Sequence, residues 1–531
     1  MFPHELFRRK SLDILVGETV EPQHQLRRLL GPLQLIFLGV GAIVGAGIFS
    51  SIGTAAAGDG VRLGSGPALV ISLLIVTVAC GFAALCYAEF AAMVPVSGSA
   101  YTYAYATMGE LTAWLIGWDL ILEYAISNAA VAVAWSGYFQ SFLNGLNLHW
   151  PAWLGTDFNS VFQSRDRFME TLGNLWTFSC NPFLPRGLDL SGFADLGSRD
   201  LMAWATAPRI AGVPFIFNLP AFTIVVLVTW VVLIGIRETA RFNTTVTLAK
   251  IGIIIFFLIV GVTCIQPENW TPFAPNGWKG ISGAAAIIFF AYIGFDAVST
   301  ASEETRNPPR DMPIGIIGSL AVCTVLYVAV AIVLTGMSKW NTLGTPEPLA
   351  DAFLVRGMKW TAGIVAIGGM LATTSALIPY QAGQPRIFFS MARDGLLPPW
   401  AAKVHPRFAT PHITTIITGV IVAFCSSVAS IGALVDLTNV GTLFAFILVA
   451  AGIIILRHSD PERSRPFRTP LVPWVPLGAI ISCGYLMFEL PAITWRRFFF
   501  WMLAGLVIYV LYGFRRSRLG ESRKIAGRQQ V

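Results

Sequence analysis

The chain has 531 residues, 55% of them hydrophobic and only 12% charged, with a formal net charge of +7. Apolar runs of about 20 residues, the length that crosses a bilayer core, recur along it and mark a polytopic helical membrane protein whose first partner is lipid. The positive excess does not point to nucleic acid, because no basic stripe interleaved with aromatics accompanies it, and membrane topology accounts for it.

Residues 1–32 are polar, carry Arg8, Arg9, Lys10, Arg27 and Arg28, and lack the short apolar core and small-residue cleavage site of a signal peptide, so the first apolar span is expected to be retained. The apolar runs predict twelve spans, at about 33–56, 67–93, 109–143, 217–236, 244–264, 281–302, 314–336, 361–391, 411–431, 434–456, 471–489 and 498–514. Lys and Arg gather on the even-numbered loops and both termini, which predicts that both termini are cytoplasmic and that the protein sits in the cell membrane.

The first span contains Gly39, Gly41, Gly45 and Gly47 within nine positions. Each glycine costs about 1 kcal/mol against alanine inside a helix, and lipid cannot satisfy the groups a break frees, so unwinding is tolerated only beside protein or a water-filled cavity. A second reading is close helix packing, since Gly41 and Gly45 form a G-x-x-x-G pair. A dinucleotide fingerprint is excluded, because Val44 stands where its third glycine belongs and no strand precedes it.

The third span carries two carboxylates, Asp119 and Glu123, one turn apart on one face. Glu123 lies about 21 Å along it from Gly109 at 1.5 Å per residue, too deep for easy snorkelling. The connection 144–216 is unusually long and rich in Trp, Phe, Gly and Pro, and no chemistry is assigned to it. Lys250 is the only lysine inside a predicted span, about 10 Å from its start, where function and snorkelling are equally open.

The sixth span holds Phe289-Phe290-Ala291-Tyr292-Ile293-Gly294-Phe295-Asp296, a glycine followed by an aromatic and an intramembrane carboxylate, which is a poor continuous lipid helix. Two interrupted spans therefore stand first and sixth, in corresponding halves of a ten-helix unit. That placement predicts an all-α fold with a 5+5 inverted repeat, discontinuous helices 1 and 6, and two accessory helices. The predicted organisation is an N-terminal cytoplasmic segment 1–32, a first repeat 33–264 carrying the insert, a second repeat 279–456, accessory helices within 471–514, and a basic cytoplasmic tail 515–531.

Gly41-Ala42-Ile43-Val44-Gly45-Ala46-Gly47-Ile48-Phe49, then Tyr87-Ala88-Glu89-Phe90 with Pro95, Ser97, Gly98 and Ser99, resemble the opening of the amino acid–polyamine–organocation (APC) superfamily. Trp118-Asp119-Leu120-Ile121-Leu122-Glu123-Tyr124, Phe295-Asp296-Ala297-Val298-Ser299-Thr300 and Arg386-Ile387-Phe388-Phe389-Ser390-Met391-Ala392-Arg393-Asp394-Gly395 narrow the resemblance to the cationic amino acid transporter family, whose bacterial members include amino acid permeases. It covers residues 1–143 and 217 to about 470, with a leucine-transporter-type fold implied. Ala46 departs from the threonine common there and removes a hydroxyl from the site.

An α-amino acid offers a carboxylate and an ammonium, and broken helices supply backbone partners for both. N–H groups around Ala46 and Gly47 are expected to bind the carboxylate. Carbonyls around Phe290, Ala291 and Ile293 are expected to take the ammonium, as the resemblance also implies, with Ile43, Phe290 and Ile293 walling the side-chain pocket. Glu123 matches the family's third-helix glutamate near the substrate. Gly41, Gly294 and Asp296 are the helix-break and gate positions. Phe242-Asn243-Thr244, Thr247 and Lys250 resemble the fifth-helix stretch of proton-coupled bacterial members, which implies that Lys250 couples protons by bonding the Gly45 carbonyl.

No P-loop, metal-ligand spacing, clustered catalytic histidine set or channel filter is present in the sequence, so the reading is a non-enzymatic secondary transporter. It needs no cofactor beyond the proton as coupling ion, takes an amino acid as its small-molecule substrate, and gives no sign of an obligate protein partner. An exchanger of cationic amino acids or polyamines is the alternative that Glu123 favours, and a non-transporting amino acid sensor is a further one.

Overall fold

In the computed structural model, residues 8–9, 30–59, 61–93, 99–180, 199–234, 240–406 and 410–519 are described. The expectations on 1–7, 10–29, Pro95, Ser97, Gly98 and the tail beyond 519 lie outside them. Among the described residues eight helices are long and apolar enough to cross a membrane, and a bent pair forms a ninth span. Three shorter apolar helices, Leu219–Ile234, His412–Val428 and Trp474–Phe488, accompany them.

The bent pair is the glycine-rich first span. Helix α1 (Pro32–Ile43) starts on a proline whose missing N–H costs nothing at a first turn. It stops at Val44, whose backbone turns extended (φ −74°, ψ 92°). A five-residue π-helical turn, broader than an α-helical one, Gly47–Ser51, then leads into α2 (Ile52–Ala57), and the two halves meet at 46°. The glycines of this span serve both close packing and the break, though the tightest packing falls on Gly39 rather than on the Gly41–Gly45 pair. A Cβ on Gly39 would lie 2.4 Å from the Ser319 hydroxyl, so that glycine serves close packing on α11 (Pro308–Met337), whereas a Cβ on Gly47 would lie 2.2 Å from the Ala291 Cα, inside the break.

Helix α3 (Leu69–Met93) packs on α11, and the short α4 (Ser99–Thr107) precedes the 36-residue α5 (Glu110–Gly145). The insert that follows is a folded cap. Helices α6 (Phe158–Cys180) and α7 (Arg199–Thr206) and the hairpin β1 (Arg209–Ile210) with β2 (Val213–Pro214) enclose a small separate core of Val161, Ala203, Ala207 and Ile216. Next come α8 (Leu219–Ile234) and α9 (Ala240–Val262), the latter packed against α1.

The sixth span breaks as its sequence predicts. Helix α10 (Gly277–Ile288) tightens into a 3₁₀ turn, Phe289–Tyr292, passes Gly294 at φ +121°, and continues as 3₁₀ turns over Asp296–Glu304. Helix α11 follows, then the short α12 (Pro348–Leu354), α13 (Lys359–Arg393), α14 (His412–Val428), α15 (Ile431–Ser459), α16 (Trp474–Phe488) and α17 (Ala492–Ile508). Helix α13 runs along α5 in the most extensive helix contact among the described residues, and α15 packs on the same α5. The cap is tied to this body by Arg199, whose guanidinium meets the buried carboxylate of Glu347, just before α12, at 2.7 Å.

Candidate functional site

A helix that stops at mid-membrane leaves carbonyls without intrahelical donors, and each must be satisfied by something nearby. Around the first break, side chains do this. The Lys250 amine, 1% exposed, donates to the carbonyls of Gly41 at 2.8 Å and Val44 at 3.0 Å. The Tyr327 hydroxyl on α11 donates to the Ile43 carbonyl at 2.9 Å, and the Tyr138 hydroxyl on α5 donates to the Phe49 carbonyl. Three different helices therefore hold the break open. The two lysine bonds go to carbonyls four residues and one residue before Gly45, on the α1 side of the break, because α9 packs against α1.

The second break is held in the same manner. Asn439 on α15 donates to the Ala286 carbonyl at 2.8 Å, the last turn of α10. Asp296 accepts from the Gly294 N–H at 3.2 Å, so its carboxylate orders the turn that follows the break. The two breaks also touch each other. A Cβ on Gly294 would stand 2.9 Å from the Ala42 carbonyl carbon, and Gly47 lies against Ala291.

Between them is a small cavity lined by Ala42, Ile43, Gly45, Ala46, Gly47, Val131, Phe290, Ile293, Ala376 and Tyr380. It has room for about one water molecule. As it stands the cavity is smaller than an amino acid. Six of the expected residues, Ile43, Gly45, Ala46, Gly47, Phe290 and Ile293, meet here. Ala291 stands behind Gly47 rather than on the cavity, and Gly41 faces Lys250. The walls are unwound backbone at one end and aliphatic or aromatic carbon elsewhere, an arrangement suited to a zwitterionic head and an apolar side chain.

Glu123 is not among the lining residues. It is buried on α5, two turns from Val131, with Oε2 unpaired among the described residues and within electrostatic reach of Asp296 and Asp119. Asp119 is fully buried, and a Cβ on Gly441 of α15 would lie 2.7 Å from its Oδ1. On α13 it is Ala376 that lines the wall, while the neighbouring Thr374 and Ser375 bond back to Met370 and Ala372 in their own helix. Tyr138, Tyr327, Tyr380 and Asn439 are not singled out by sequence reasoning. Their signal is there, since each is a polar group inside an apolar span, where such groups hydrogen-bond across helices.

Comparison with known proteins places the chain in a family. The amino acid permease family matches the chain over residues 30–511. The chain belongs to the amino acid permease family. It is 42% identical to a methylthioribose transporter of Bacillus subtilis and 41% identical to that organism's branched-chain amino acid permease BcaP, in each case over 97% of this chain and 99% of the relative. A vacuolar cationic amino acid transporter of Arabidopsis thaliana is more distant, 32% identical over 86% of this chain and 68% of the relative. This permease is thus a multi-pass membrane transporter whose family handles small amino acids. The resemblance to the APC superfamily and its cationic amino acid branch holds, with the two Bacillus permeases nearer than the cationic transporter.

Proposed function

We propose that this permease imports neutral, apolar amino acids together with protons by alternating access, on twelve spans arranged as a 5+5 inverted repeat with two accessory helices and cytoplasmic termini in the cell membrane. The observation that carries the reading is Lys250, a buried amine bonded to two carbonyls of the break that borders the cavity. A protonated amine there completes the break and holds Ala46 and Gly47 in place for a carboxylate. Loss of the proton removes the charge that makes both bonds strong, and the break loosens. Proton binding and substrate binding are coupled because both act on the same few backbone atoms.

The driving force is adequate without ATP, since one charge moved across the membrane gains about 2.3 kcal/mol per 100 mV. The aliphatic lining of Ile43, Val131, Ile293 and Ala376 suits branched or other apolar side chains, in keeping with the relative named as a branched-chain permease. Glu123 lies off the cavity, so exchange of cationic amino acids or polyamines gains no support from the geometry.

The test is uptake of labelled leucine into proteoliposomes with an inward proton gradient, with unlabelled lysine and methylthioribose as competitors. The proposal expects accumulation driven by the gradient and little competition from either compound. Uptake of methylthioribose in place of leucine would contradict it.

A further inference from the structure

On the side of the break away from α1, a second small cavity lies one to two turns beyond the first along the same two half-helices. It is lined by Ser51, Thr54, Arg62, Ile287, Ile431, Gly432 and Val435. Ser51 stands four residues past Gly47, about 6 Å along the helix, and Ile287 three residues before Phe290, about 5 Å. A path along these half-helices from that side of the membrane to the central cavity would run between α2, α10 and α15, where this cavity lies.

Arg62 is built into the wall with care. Its loop is folded by Asp59, whose Oδ1 accepts the N–H groups of Val61 and Arg62 at 2.8 and 2.6 Å. The loop is also pinned to α10. Asn276 donates to the Gly64 carbonyl, and Gly280 comes so close that a Cβ would lie 2.5 Å from the same oxygen. The guanidinium donates to Asp59 Oδ2 from Nη2 at 2.6 Å and from Nε at 3.1 Å. Nη2 also stands 2.7 Å from Asp436 Oδ1 on α15. Thus one side chain joins the α2–α10 group to α15 across the passage.

This network is left incomplete. Arg62 has only 7% of its side chain exposed, yet its Nη1 has no hydrogen-bond partner among the described residues, and neither has the Ser51 hydroxyl. The contact to Asp436 is an ion pair without hydrogen-bond geometry, since Asp436 Oδ1 is likewise unpaired by that criterion. A guanidinium has five donors in a flat fork that matches a carboxylate at two points. Leaving a buried donor unmet is costly, so the site is matched to an anion that arrives from elsewhere. Ile287, Ile431 and Val435 give the same cavity an apolar wall.

We infer that Arg62, with Ser51 and Thr54, forms a second binding site for the carboxylate of the amino acid, on the passage between the central cavity and the membrane face opposite the N-terminus. When the passage is shut, Asp436 holds Arg62 across it. When α15 moves away, Arg62 keeps its Asp59 anchor and turns its free edge to the incoming carboxylate, while Asp436 is released to face the ammonium. The inference rests on the reading of this permease as an amino acid transporter.

The test places a cysteine on the wall, Ile431→Cys, and follows its labelling by a membrane-impermeant methanethiosulfonate above the level of the parent protein. Leucine is expected to slow the labelling several-fold, and leucinamide, which lacks the carboxylate, to leave it unchanged. Adding Arg62→Gln should abolish the protection, and Arg62→Lys should restore part of it. Equal protection by leucine and leucinamide, or protection that survives Arg62→Gln, would overturn the inference. Leucine uptake by the same preparations is measured in parallel: uptake without protection sinks the second site alone, whereas no uptake of any amino acid by the wild type sinks the reading on which it rests.

Discussion

Lys250 donates to the Val44 carbonyl at 3.0 Å across 206 positions of sequence, and the same amine reaches Gly41 at 2.8 Å. A single cation thereby replaces the helical donors that two residues of a broken span have lost. The break is a built structure, completed by side chains from α5, α9 and α11, and each can be removed separately.

Two glycines leave no room for a side chain. Gly47→Ala would drive a methyl into the backbone of Ala291, and Gly294→Ala would add a Cβ 2.9 Å from Ala42 at a φ that L residues rarely adopt. Overpacking of this kind costs about 1–3 kcal/mol, and here it falls on atoms that must move in transport. Leucine uptake per folded molecule is expected to drop about tenfold or more in each variant, measured on protein that still elutes as a single peak in detergent.

Tyr327→Phe removes the donor to the Ile43 carbonyl and leaves that buried acceptor unmet, a cost of about 1–3 kcal/mol. The thermal unfolding midpoint should fall. Because Lys250 remains, the dependence of uptake on the proton gradient should persist at a lower rate, which separates a residue that supports the break from one that couples it.

Helix α12, beside the Glu347 anchor of the cap, should respond to pH. Burial, aided by the neighbouring Glu347, lifts the Asp351 carboxyl from its ordinary value to about 7. The folded protein therefore keeps a proton there that the unfolded chain releases near pH 4. Its contribution is full below about pH 4, declines as pH rises from there to about 7, and is flat above that. Asp351→Asn should flatten this part of the pH–stability curve. Arg199→Ala leaves the 1% exposed Glu347 without its cation and should destabilise by about 1–3 kcal/mol, less than a fully buried pair because a third of the Arg199 side chain is exposed.

Glu123 lies off the cavity but within reach of Asp296. Glu123→Gln should leave the preference for neutral over cationic amino acids unchanged, read from competition by lysine against labelled leucine. A large rise in lysine competition, or transport of lysine lost on substitution, would place the carboxylate at the substrate after all.

Both breaks were legible in the sequence because their causes are local: glycines dense enough to end a helix, and a Gly-Phe-Asp run that lipid will not tolerate. Ile43, Ala46, Gly47, Phe290 and Ile293 follow directly from those breaks. Lys250 was legible as the only lysine within an apolar run, but its bonds to the carbonyls of Gly41 and Val44 were not, since they depend on how α9 packs against α1. Val131, Ala376 and Tyr327 were not legible, because their roles depend on which face of α5, α13 or α11 turns inward, and spans with mixed faces carry little periodic signal. The length of 144–216 allowed a folded cap, but its core was not legible, since Val161 and Ile216 stand 55 positions apart.

The central claim is that Lys250 links the proton to the break. The most direct measurement is leucine uptake into proteoliposomes, with and without an inward proton gradient, for wild type and Lys250→Ala. The account predicts that the gradient drives accumulation by the wild type and that the variant equilibrates leucine, at most, with no response to the gradient. Accumulation by Lys250→Ala that rises as steeply with external acidification as in the wild type would contradict it.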